Sequence, residues 1–508
     1  MASNLFARKP LEVLLEELKG ENRLRRVLGP VQLSSLGIGA IIGTGIFVLV
    51  GVANNKTGPA LMLSFVVAGT CCVFAAMCYA EFASIVPVAG SAYTYAYATL
   101  GELFAWIIGW DLVLEYTVAS ATVAHGWSKY FQDFIGIFKY QLPLAIRNAP
   151  FDLNVDPNTV AGKFVPTGAV IDLPAIVITC IITAILVKGI RESASFNAGM
   201  VILKVSIVLF VIAVGAFYVD PANWKPFAPY GYTGLSFFGK TIAGQTAPTG
   251  QPIGMLAGEA IIFFAYIGFD SVSTHAEEAR RPHRDVPIGI VSSLIICTVL
   301  YVAVAAVLTG MIPADKINKE APVSDAFRQV GLPWAQFLVS IGAVAGITSV
   351  LLVMMLSQPR VLLAMARDGL LPPSFFGAIH ERFRTPWKST ILTGIIVCVM
   401  SGLIPLRILA ELVNIGTLLA FVIVCAAVLV MRKTHPDAHR PFRVPFGPVF
   451  PISGIATCLL LMFSLPAENW LRLFVWLVIG LMVYVFYGRH HSVMARSRAA
   501  EAGKPGPS

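Results

Sequence analysis

The chain has 508 residues, of which 56% are hydrophobic and 13% are charged, and its mean hydropathy is +0.76. An ordinary soluble domain is about a quarter charged, so this composition excludes a soluble globular protein and indicates a polytopic membrane protein. The net charge of +9 is scattered over short segments beside apolar stretches. It therefore reflects membrane topology rather than a nucleic-acid-binding surface.

Long apolar stretches predict an all-α membrane protein with twelve transmembrane helices. A crossing needs about 20 apolar residues. Several stretches are longer than that, which indicates tilted helices rather than extra crossings. The predicted spans lie at residues 33–53, 60–86, 101–131, 171–190, 195–219, 253–275, 288–312, 334–366, 388–406, 408–432, 448–466 and 470–488.

Lysine and arginine collect in the segments that would share one side of these spans. Cytoplasmic segments carry this excess, so both termini are expected in the cytoplasm and the protein in the plasma membrane, the inner membrane of a bacterium. The stretch at 5–28 is either amphipathic and membrane-bound or an ordinary solvated helix. The expected division is a tail at 1–32, spans at 33–219, an extracellular loop at 220–252, spans at 253–432 and at 433–488, and a tail at 489–508.

Two predicted spans are interrupted near their middle, by GIGAIIGTGIF at 37–47 and by FFAYIGFD at 263–270. A spanning helix must satisfy its own backbone, so a break needs partners from protein or from a watery cavity. The breaks recur five spans apart, which predicts a five-plus-five inverted repeat whose broken helices cross at one site near the bilayer midplane. The alternative is that these glycines only allow close helix packing.

Four further motifs accompany the breaks in a fixed order: VPVAGSAYTYAY at 86–97, GELFAWIIGWDLVLEY at 101–116, RRPHRDVPIGI at 280–290 and AMARDGLLP at 364–372. Together the six segments resemble the amino acid–polyamine–organocation superfamily, in particular its cationic amino acid transporter branch and the bacterial relatives. The resemblance implies a fold of the leucine-transporter type and amino acid transport by alternating access without an energy-hydrolysing domain. The absence of a Walker A motif agrees with this.

The resemblance also implies that main-chain groups of the two breaks bind the substrate. Free amides and the positive end of a half-helix would hold its carboxylate, and carbonyls of the second break would hold its ammonium. Phe264 would in addition act as a gate, although alone it would be a packing residue, and the Thr44 hydroxyl alone would bond to its own helix. The residues are Ile41, Thr44 and Gly45 for the carboxylate and Phe264, Ala265 and Ile267 for the ammonium.

Met354, in VLLVMMLSQPR at 350–360, is the candidate for substrate selectivity. The resemblance places it where mammalian cationic transporters carry a small serine. Methionine is larger and offers no strong acceptor, so the pocket is expected to favour small neutral substrates such as alanine over arginine or lysine. The structural alternative is that Met354 only fills the core.

Two charged residues inside predicted spans are candidates for proton coupling. Lys204 lies roughly 13 Å from the start of its span, too deep for its side chain to reach the surface comfortably. The resemblance implies that this lysine lies near the first break, where sodium-driven relatives hold a cation. Glu115 shares a helix face with Asp111 and could relay protons or contact a cationic substrate. The structural alternatives are an ion that pins two helices and a hydrogen bond across helices.

The expected function is secondary active transport, as proton symport of small neutral L-amino acids. Cationic amino acids, glutamine or polyamines as substrates, amino acid exchange and facilitated diffusion stay open alternatives. An enzyme is disfavoured because no catalytic motif is present, and a channel because the ionisable groups gather around two breaks rather than along a pore. No cofactor, metal site or nucleic-acid partner is expected, and the oligomeric state is open.

Overall fold

A computed structural model describes residues 8–10, 28–86, 91–155, 162–189, 193–248, 250–494 and 496 of the chain. Within these residues the protein is mostly helical, and turns and three short hairpins make up much of the rest. The prediction of a helical protein is therefore confirmed. Most of the predicted amphipathic stretch at 5–28 and of the tail at 489–508 lies outside the described residues.

The helices follow one another along the chain, and the two longest connections lie between α5 and α6 and between α7 and α8. They are α1 (Pro30–Ile41), α2 (Val50–Thr57), α3 (Leu61–Ile85), α4 (Ser91–Thr99), α5 (Glu102–Ile137), α6 (Leu173–Lys188), α7 (Ser193–Gly215), α8 (Met255–Ile262), α9 (Ser271–Thr274), α10 (Pro282–Met311), α11 (Pro322–Gln329), α12 (Pro333–Arg367), α13 (Pro373–Phe376), α14 (Trp387–Leu403), α15 (Leu406–Thr434), α16 (Val449–Ser464), α17 (Ala467–Val483) and α18 (Arg489–His491).

Three antiparallel hairpins lie in the two longest segments that the sequence places outside the membrane. The strands are β1 (Phe151–Val155) with β2 (Gly162–Pro166), β3 (Leu235–Phe237) with β4 (Lys240–Ala243), and β5 (Gln245–Thr246) with β6 (Pro252–Ile253). In the first hairpin Phe151 lies opposite Pro166, and in the second the register shifts between Leu235 and Ser236. The sequence analysis did not anticipate these hairpins.

Eight helical stretches of the described chain are long and apolar enough to cross a membrane, and four apolar helices of 10–17 residues, α1, α6, α14 and α16, are shorter. Twelve separate crossings therefore stay a prediction. The eight stretches are Gly45–Ile85, Glu102–Ile137, Gly199–Tyr218, Met255–Thr274, Pro282–Met311, Pro333–Arg367, Leu406–Thr434 and Ala467–His491.

The longest helix, α5, is central to the packing. It contacts α12 and α15 extensively, while α10 contacts α1 and α3. Gly126 allows α5 to approach the first break closely, because a Cβ at this position would lie 2.6 Å from Thr44 Cγ2. The two broken segments are thereby enclosed by α5, α10 and α12.

The first predicted break is confirmed. Helix α1 ends at Ile41, and Ile42 is extended, with φ −72° and ψ 105°. A π-helical turn at Gly45–Leu49 then leads into α2. The chain therefore turns from one half-helix into the next within the buried part of the molecule.

The second predicted break is also confirmed. A 3₁₀ turn at Phe263–Tyr266 follows α8, and Ile267 is extended, with ψ 134°. Gly268 has φ +118°, a backbone conformation that a residue with a side chain rarely adopts. The four-residue helix α9 follows.

The two breaks pack directly against each other. A Cβ at Gly45 would lie 2.3 Å from Ala265 Cα, and one at Gly268 would lie 3.0 Å from Ala40 Cβ. The contact at Gly45 leaves no room for a side chain, whereas at Gly268 the positive φ is what disfavours one. Glycine at both positions therefore lets the two backbones meet.

Candidate functional site

A small buried cavity lies where the two breaks meet α5 and α12. It leaves about 10 Å³ for the centre of a water molecule, which is room for about one water. Of the predicted binding residues, all except Ala265 line it. The lining residues are Ala40, Ile41, Thr44, Gly45, Ala119, Val123, Phe264, Ile267, Val350 and Met354.

Unpaired hydrogen-bond donors border the cavity on the side of the first break. The amides of Ile46 and Phe47 both donate to the carbonyl of Gly43, at 3.2 and 3.1 Å. In contrast, the amides of Gly43 and Thr44 donate no hydrogen bond to the main chain within the described residues. These two residues precede the helical segment that continues through Gly45 into α2, and such a helix start attracts anions.

The Thr44 hydroxyl adds a further unpaired group at the same place. Thr44 is 2% exposed, and its Oγ1 atom has no hydrogen-bond partner among the described residues. It therefore does not bond back to its own helix, which was the structural alternative. Because a buried hydroxyl without a partner is costly, this atom is a candidate hydrogen-bonding group for a ligand in the cavity.

Carbonyl groups border the cavity on the side of the second break. The Phe264 carbonyl accepts from the amide of Ile267, at 3.2 Å, and the Ala265 carbonyl accepts from the Tyr301 hydroxyl, at 3.1 Å. The Ile267 carbonyl accepts no hydrogen bond from any described residue. The two breaks thus offer groups of opposite polarity, amides from one and a carbonyl from the other.

Tyr301, which was not predicted from the sequence, joins the two breaks. Its hydroxyl lies 2.8 Å from the carbonyl oxygen of Ile41 and 3.1 Å from that of Ala265, so it can donate to only one of them at a time. A tyrosine in the middle of a long apolar helix needs a polar partner, and that need was the available signal. The partner itself could not be read from the sequence.

The rest of the cavity wall is apolar. Met354 and Val350 are one turn apart on α12, and Ala119 and Val123 are one turn apart on α5. No charged side chain is among the lining residues. The sequence analysis identified Met354 but not the other three, although Ala119 and Val123 follow Glu115 at four-residue intervals.

Lys204 lies outside the cavity, on the far side of the first break. Its side chain is fully buried, and its Nζ atom donates to the carbonyls of Gly39 and Ile42, at 2.5 and 3.1 Å. These carbonyls belong to the C-terminal end of α1, the negative end of the helix dipole. A positive charge here therefore stabilises the end of the half-helix.

Glu115 lies one helical turn from the cavity residue Ala119. It is 1% exposed, and neither carboxylate oxygen has a hydrogen-bond partner within the part of the chain that the structure describes. The carboxyl groups of Asp111 and Asp270 are close to it. The structure thus brings Glu115 near the site but not into the cavity wall.

A bundle of apolar helices that encloses a cavity between two broken helices is the architecture of a membrane transporter. The profile of the amino acid permease family matches residues 28–487. The chain therefore belongs to the amino acid permease family, a family of transporters, and the resemblance seen in its motifs is confirmed.

Three relatives illustrate the range of this family. The chain is 45% identical to the methylthioribose transporter and 46% identical to the branched-chain amino acid permease BcaP, both of Bacillus subtilis, and each match covers 97% of this chain and 99% of the relative. It is 39% identical to the vacuolar cationic amino acid transporter 4 of Arabidopsis thaliana, over 86% of this chain and 68% of the relative. The chain is thus a multi-pass membrane protein with transporter relatives along nearly its whole length.

Replacing Tyr301 with phenylalanine is expected to destabilise the protein. The change leaves the buried carbonyls of Ile41 and Ala265 without their hydroxyl donor, which costs about 1–3 kcal/mol. Tyr95→Phe is the matched control, because the Tyr95 hydroxyl is buried without a partner among the described residues. Thermal unfolding of the purified variants checks this: Tyr301→Phe should unfold at a clearly lower temperature than Tyr95→Phe, and equal midpoints would contradict the role given to Tyr301.

Proposed function

We propose that this permease transports small neutral L-amino acids, alanine among them, together with protons and by alternating access. The observation that carries the proposal is the presence of unpaired amides at Gly43 and Thr44 and of the free carbonyl of Ile267 beside one buried cavity. A zwitterion carries one group for each: a carboxylate for the amides and an ammonium for the carbonyl.

The carboxylate is proposed to bind the first break, at Ile41, Thr44 and Gly45. The free amides and the unpaired Thr44 hydroxyl supply donors there, and hydrogen bonds from donors to a charged acceptor are stronger than those between neutral groups. A substrate carboxylate would also relieve the cost of leaving these donors buried and unpaired.

The ammonium is proposed to bind carbonyls of the second break, at Phe264, Ala265 and Ile267. The Ile267 carbonyl has no described donor, whereas each of the other two carbonyls accepts one hydrogen bond. A carbonyl oxygen has two lone pairs, so both can accept a second bond. Recognition of both charges by main chain leaves the side chain of the substrate to be selected elsewhere.

The apolar wall of the cavity supports a neutral substrate side chain. Val350 and Met354 on one side and Ala119 and Val123 on the other present no acceptor for a guanidinium or an ammonium group. The relationship to a protein named branched-chain amino acid permease agrees with an apolar substrate. Relatives named cationic amino acid transporters keep arginine and lysine as the alternative.

The size of the cavity supports alternating access. A space for about one water is too small for any amino acid, so the described conformation is closed and substrate must enter after the walls separate. Phe264 is buried and lines the cavity, which suits a gate that moves when the breaks part. Whether the transporter works as a symporter or an exchanger is decided by the coupling residues.

Twelve crossings with both termini in the cytoplasm and a leucine-transporter-type inverted repeat form part of the proposal. The two breaks would be equivalent elements of repeats at 33–219 and 253–432. Helices α6 and α14, the fourth and ninth predicted spans, would also be equivalent, and they pack against each other. The charge distribution supports the orientation and a plasma membrane location.

Lys204 is proposed as one proton-carrying group. As an ammonium it donates to the carbonyls at the end of α1, at Gly39 and Ile42, and as a neutral amine it would hold them less strongly. Proton loss would therefore loosen the first break, to which the substrate carboxylate is proposed to bind. Such a link between protonation and a bistable segment is what coupling requires.

A second candidate substrate is methylthioribose, because a relative 45% identical to this chain is named as its transporter. Methylthioribose is a neutral sugar derivative with neither an ammonium nor a carboxylate. The unpaired amides and carbonyl at the breaks favour the amino acid, and the apolar wall alone would suit either compound. Direct competition between the two compounds decides the matter.

Uptake into liposomes that contain the purified protein tests the proposed function. Labelled L-alanine should accumulate when the proton gradient points inward, and unlabelled L-isoleucine should compete better than L-arginine or methylthioribose. Loss of the gradient should abolish accumulation. Accumulation that is independent of the gradient would contradict proton symport, and uptake of arginine or methylthioribose in place of alanine would contradict the proposed substrate class.

Replacing Met354 with serine is expected to widen the substrate range. The shorter side chain enlarges the apolar end of the cavity, so arginine should inhibit alanine uptake at a concentration roughly tenfold lower than in the unmodified protein. Met355→Ser is the matched control, since Met355 is equally buried on α12 but does not line the cavity. Equal arginine inhibition in both variants would argue against a selectivity role for Met354.

Replacing Lys204 with methionine is expected to uncouple transport from protons. Methionine keeps much of the bulk but cannot bind a proton, so gradient-driven accumulation of alanine should fall roughly tenfold or more while exchange of internal for external alanine continues. Lys129→Met is the control, because Lys129 forms an ion pair with Glu320, which is exposed. Accumulation that survives in Lys204→Met would show that Lys204 does not carry the coupled proton.

A further inference from the structure

Two acidic residues and two cavity residues lie along one ridge of α5. Asp111, Glu115, Ala119 and Val123 follow at four-residue steps, the spacing of a ridge on a helix surface. Ala119 and Val123 line the cavity. At 1.5 Å per residue, Glu115 is about 6 Å and Asp111 about 12 Å along the helix from Ala119. The ridge therefore leads away from the cavity toward Glu102, where α5 begins.

That end of the helix bundle is closed by side chains from several parts of the chain. Lys9 Nζ donates to Asp368 Oδ1 at 2.9 Å, and the hydroxyls of Tyr97 and Tyr484 donate to Glu102, at 3.0 and 2.9 Å. We refer to it as the Glu102 end. By the distribution of basic residues it is the end proposed to face the cytoplasm.

A third buried carboxyl group, from the second break, joins the two on α5. Asp270 is three residues past the cavity residue Ile267, and its Oδ2 atom accepts from the Tyr116 hydroxyl at 2.8 Å. The other five carboxylate oxygens of Asp111, Glu115 and Asp270 have no hydrogen-bond partner within the described ranges. None of the three carboxyl groups pairs with a basic side chain of that part of the chain.

An unpaired hydroxyl from a different helix lies at the same place. Tyr79 of α3 is fully buried, and its hydroxyl has no partner among the described residues. Its ring packs edge-on against Phe269, at 5.9 Å, and it lies close to Asp270 and Glu115. Other groups around the three carboxyls are the titratable Tyr95 of α4, Tyr116 of α5 and Cys425 of α15, and Gly416 and Thr417 of α15.

Three buried carboxyl groups without a cation cannot all be ionised, because an unpaired buried charge is far more costly than the neutral acid. In the described closed conformation they are therefore neutral and carry protons. Neutral carboxyls and hydroxyls can both donate and accept, so a group of them can pass a proton along, with water at the open positions.

We propose that Asp111, Glu115 and Asp270 form a proton ladder between the substrate cavity and the Glu102 end. When that end opens, Asp111 releases its proton to water and becomes a carboxylate. It then takes a proton from Glu115, which is refilled from Asp270 or from water in the cavity. Only O–H bonds are broken and formed, and each proton lost at the Glu102 end is replaced from the cavity.

The ladder rests on the proposed proton-coupled transport and adds a second set of groups to it. Lys204 binds the end of α1, whereas Asp270 of the second break accepts a hydrogen bond from Tyr116 of α5. Ionisation of Asp270 would change its hold on Tyr116 and so the position of the segment that follows Ile267. Release of the proton and rearrangement of the ammonium site are thereby linked.

Amide variants test the ladder in liposomes. Asp111→Asn and Glu115→Gln keep the shape of each side chain but cannot pass a proton. Gradient-driven accumulation of L-alanine, and the acidification that an entrapped dye reports, should each fall roughly fivefold or more, while alanine exchange continues. Glu259→Gln is the matched control, because Glu259 is buried on α8 and accepts from Cys71 Sγ at 3.3 Å, away from the ladder.

Infrared spectroscopy of the same proteins gives a readout that does not depend on transport. At neutral pH the unmodified protein should show the C=O absorption of protonated carboxyl groups, and either ladder variant should lose part of it. Full accumulation in both ladder variants, or spectra that show only carboxylates at these positions, would overturn the ladder. If the unmodified protein accumulates no alanine, the proposed function fails, whereas the infrared result still decides whether the ladder is protonated.

Discussion

The structure depends on one constraint: peptide groups buried in a membrane protein need hydrogen-bond partners. At the two breaks the helices no longer supply those partners. Part of the deficit is met by tyrosine hydroxyls, which reach the breaks from neighbouring helices, as Tyr301 and Tyr130 do. Among the described groups that stay unpaired are the amides of Gly43 and Thr44, the Thr44 hydroxyl and the Ile267 carbonyl, all at or beside one cavity. In our proposal the substrate supplies the missing partners.

The close approach of the breaks explains why glycine occurs at their centre. Gly45 permits contact with the backbone of Ala265, and Gly268 adopts a positive φ beside Ala40. The same contacts keep the cavity small. In our proposal the breaks must therefore separate to admit an amino acid, which fits alternating access.

The sequence revealed those residues that differ in kind from the apolar residues around them. Glycines in an apolar stretch located both breaks, and a lysine and a glutamate among apolar residues drew attention to Lys204 and Glu115. The motifs gave the family. Residues that look ordinary along the chain could not be placed: nothing distinguishes Val350 or Ala119 from other apolar residues until the fold brings them to the cavity.

Long-range contacts account for the remaining differences. The hydroxyl of Tyr301 meets carbonyls 260 and 36 residues away in the chain, and no periodicity reports such a pairing. The hairpins lie in segments that hydropathy can only mark as outside the membrane. The count of twelve spans rests on short apolar helices such as α6 and α14, whose length alone does not decide whether they cross.

Different parts of the protein are proposed to recognise the charged groups and the side chain of the substrate. Main chain at the breaks is proposed to bind the charges that all amino acids share, and side chains of α5 and α12 select what differs between them. Proton coupling is proposed to use other groups than these two kinds of recognition. They are Lys204 at the end of α1 and the carboxyl groups of α5. This separation is consistent with the differently named substrates of the relatives.

Competition by analogues of the substrate tests whether peptide groups of the two breaks bind both its carboxylate and its ammonium. Propionate has the carboxylate of alanine without its ammonium, and L-alaninamide has the ammonium without the carboxylate. If peptide groups at the two breaks bind both charges, each analogue leaves one set of buried groups unpaired and should inhibit alanine uptake at least about tenfold more weakly than alanine. Inhibition by either analogue as strong as that by alanine would contradict the account.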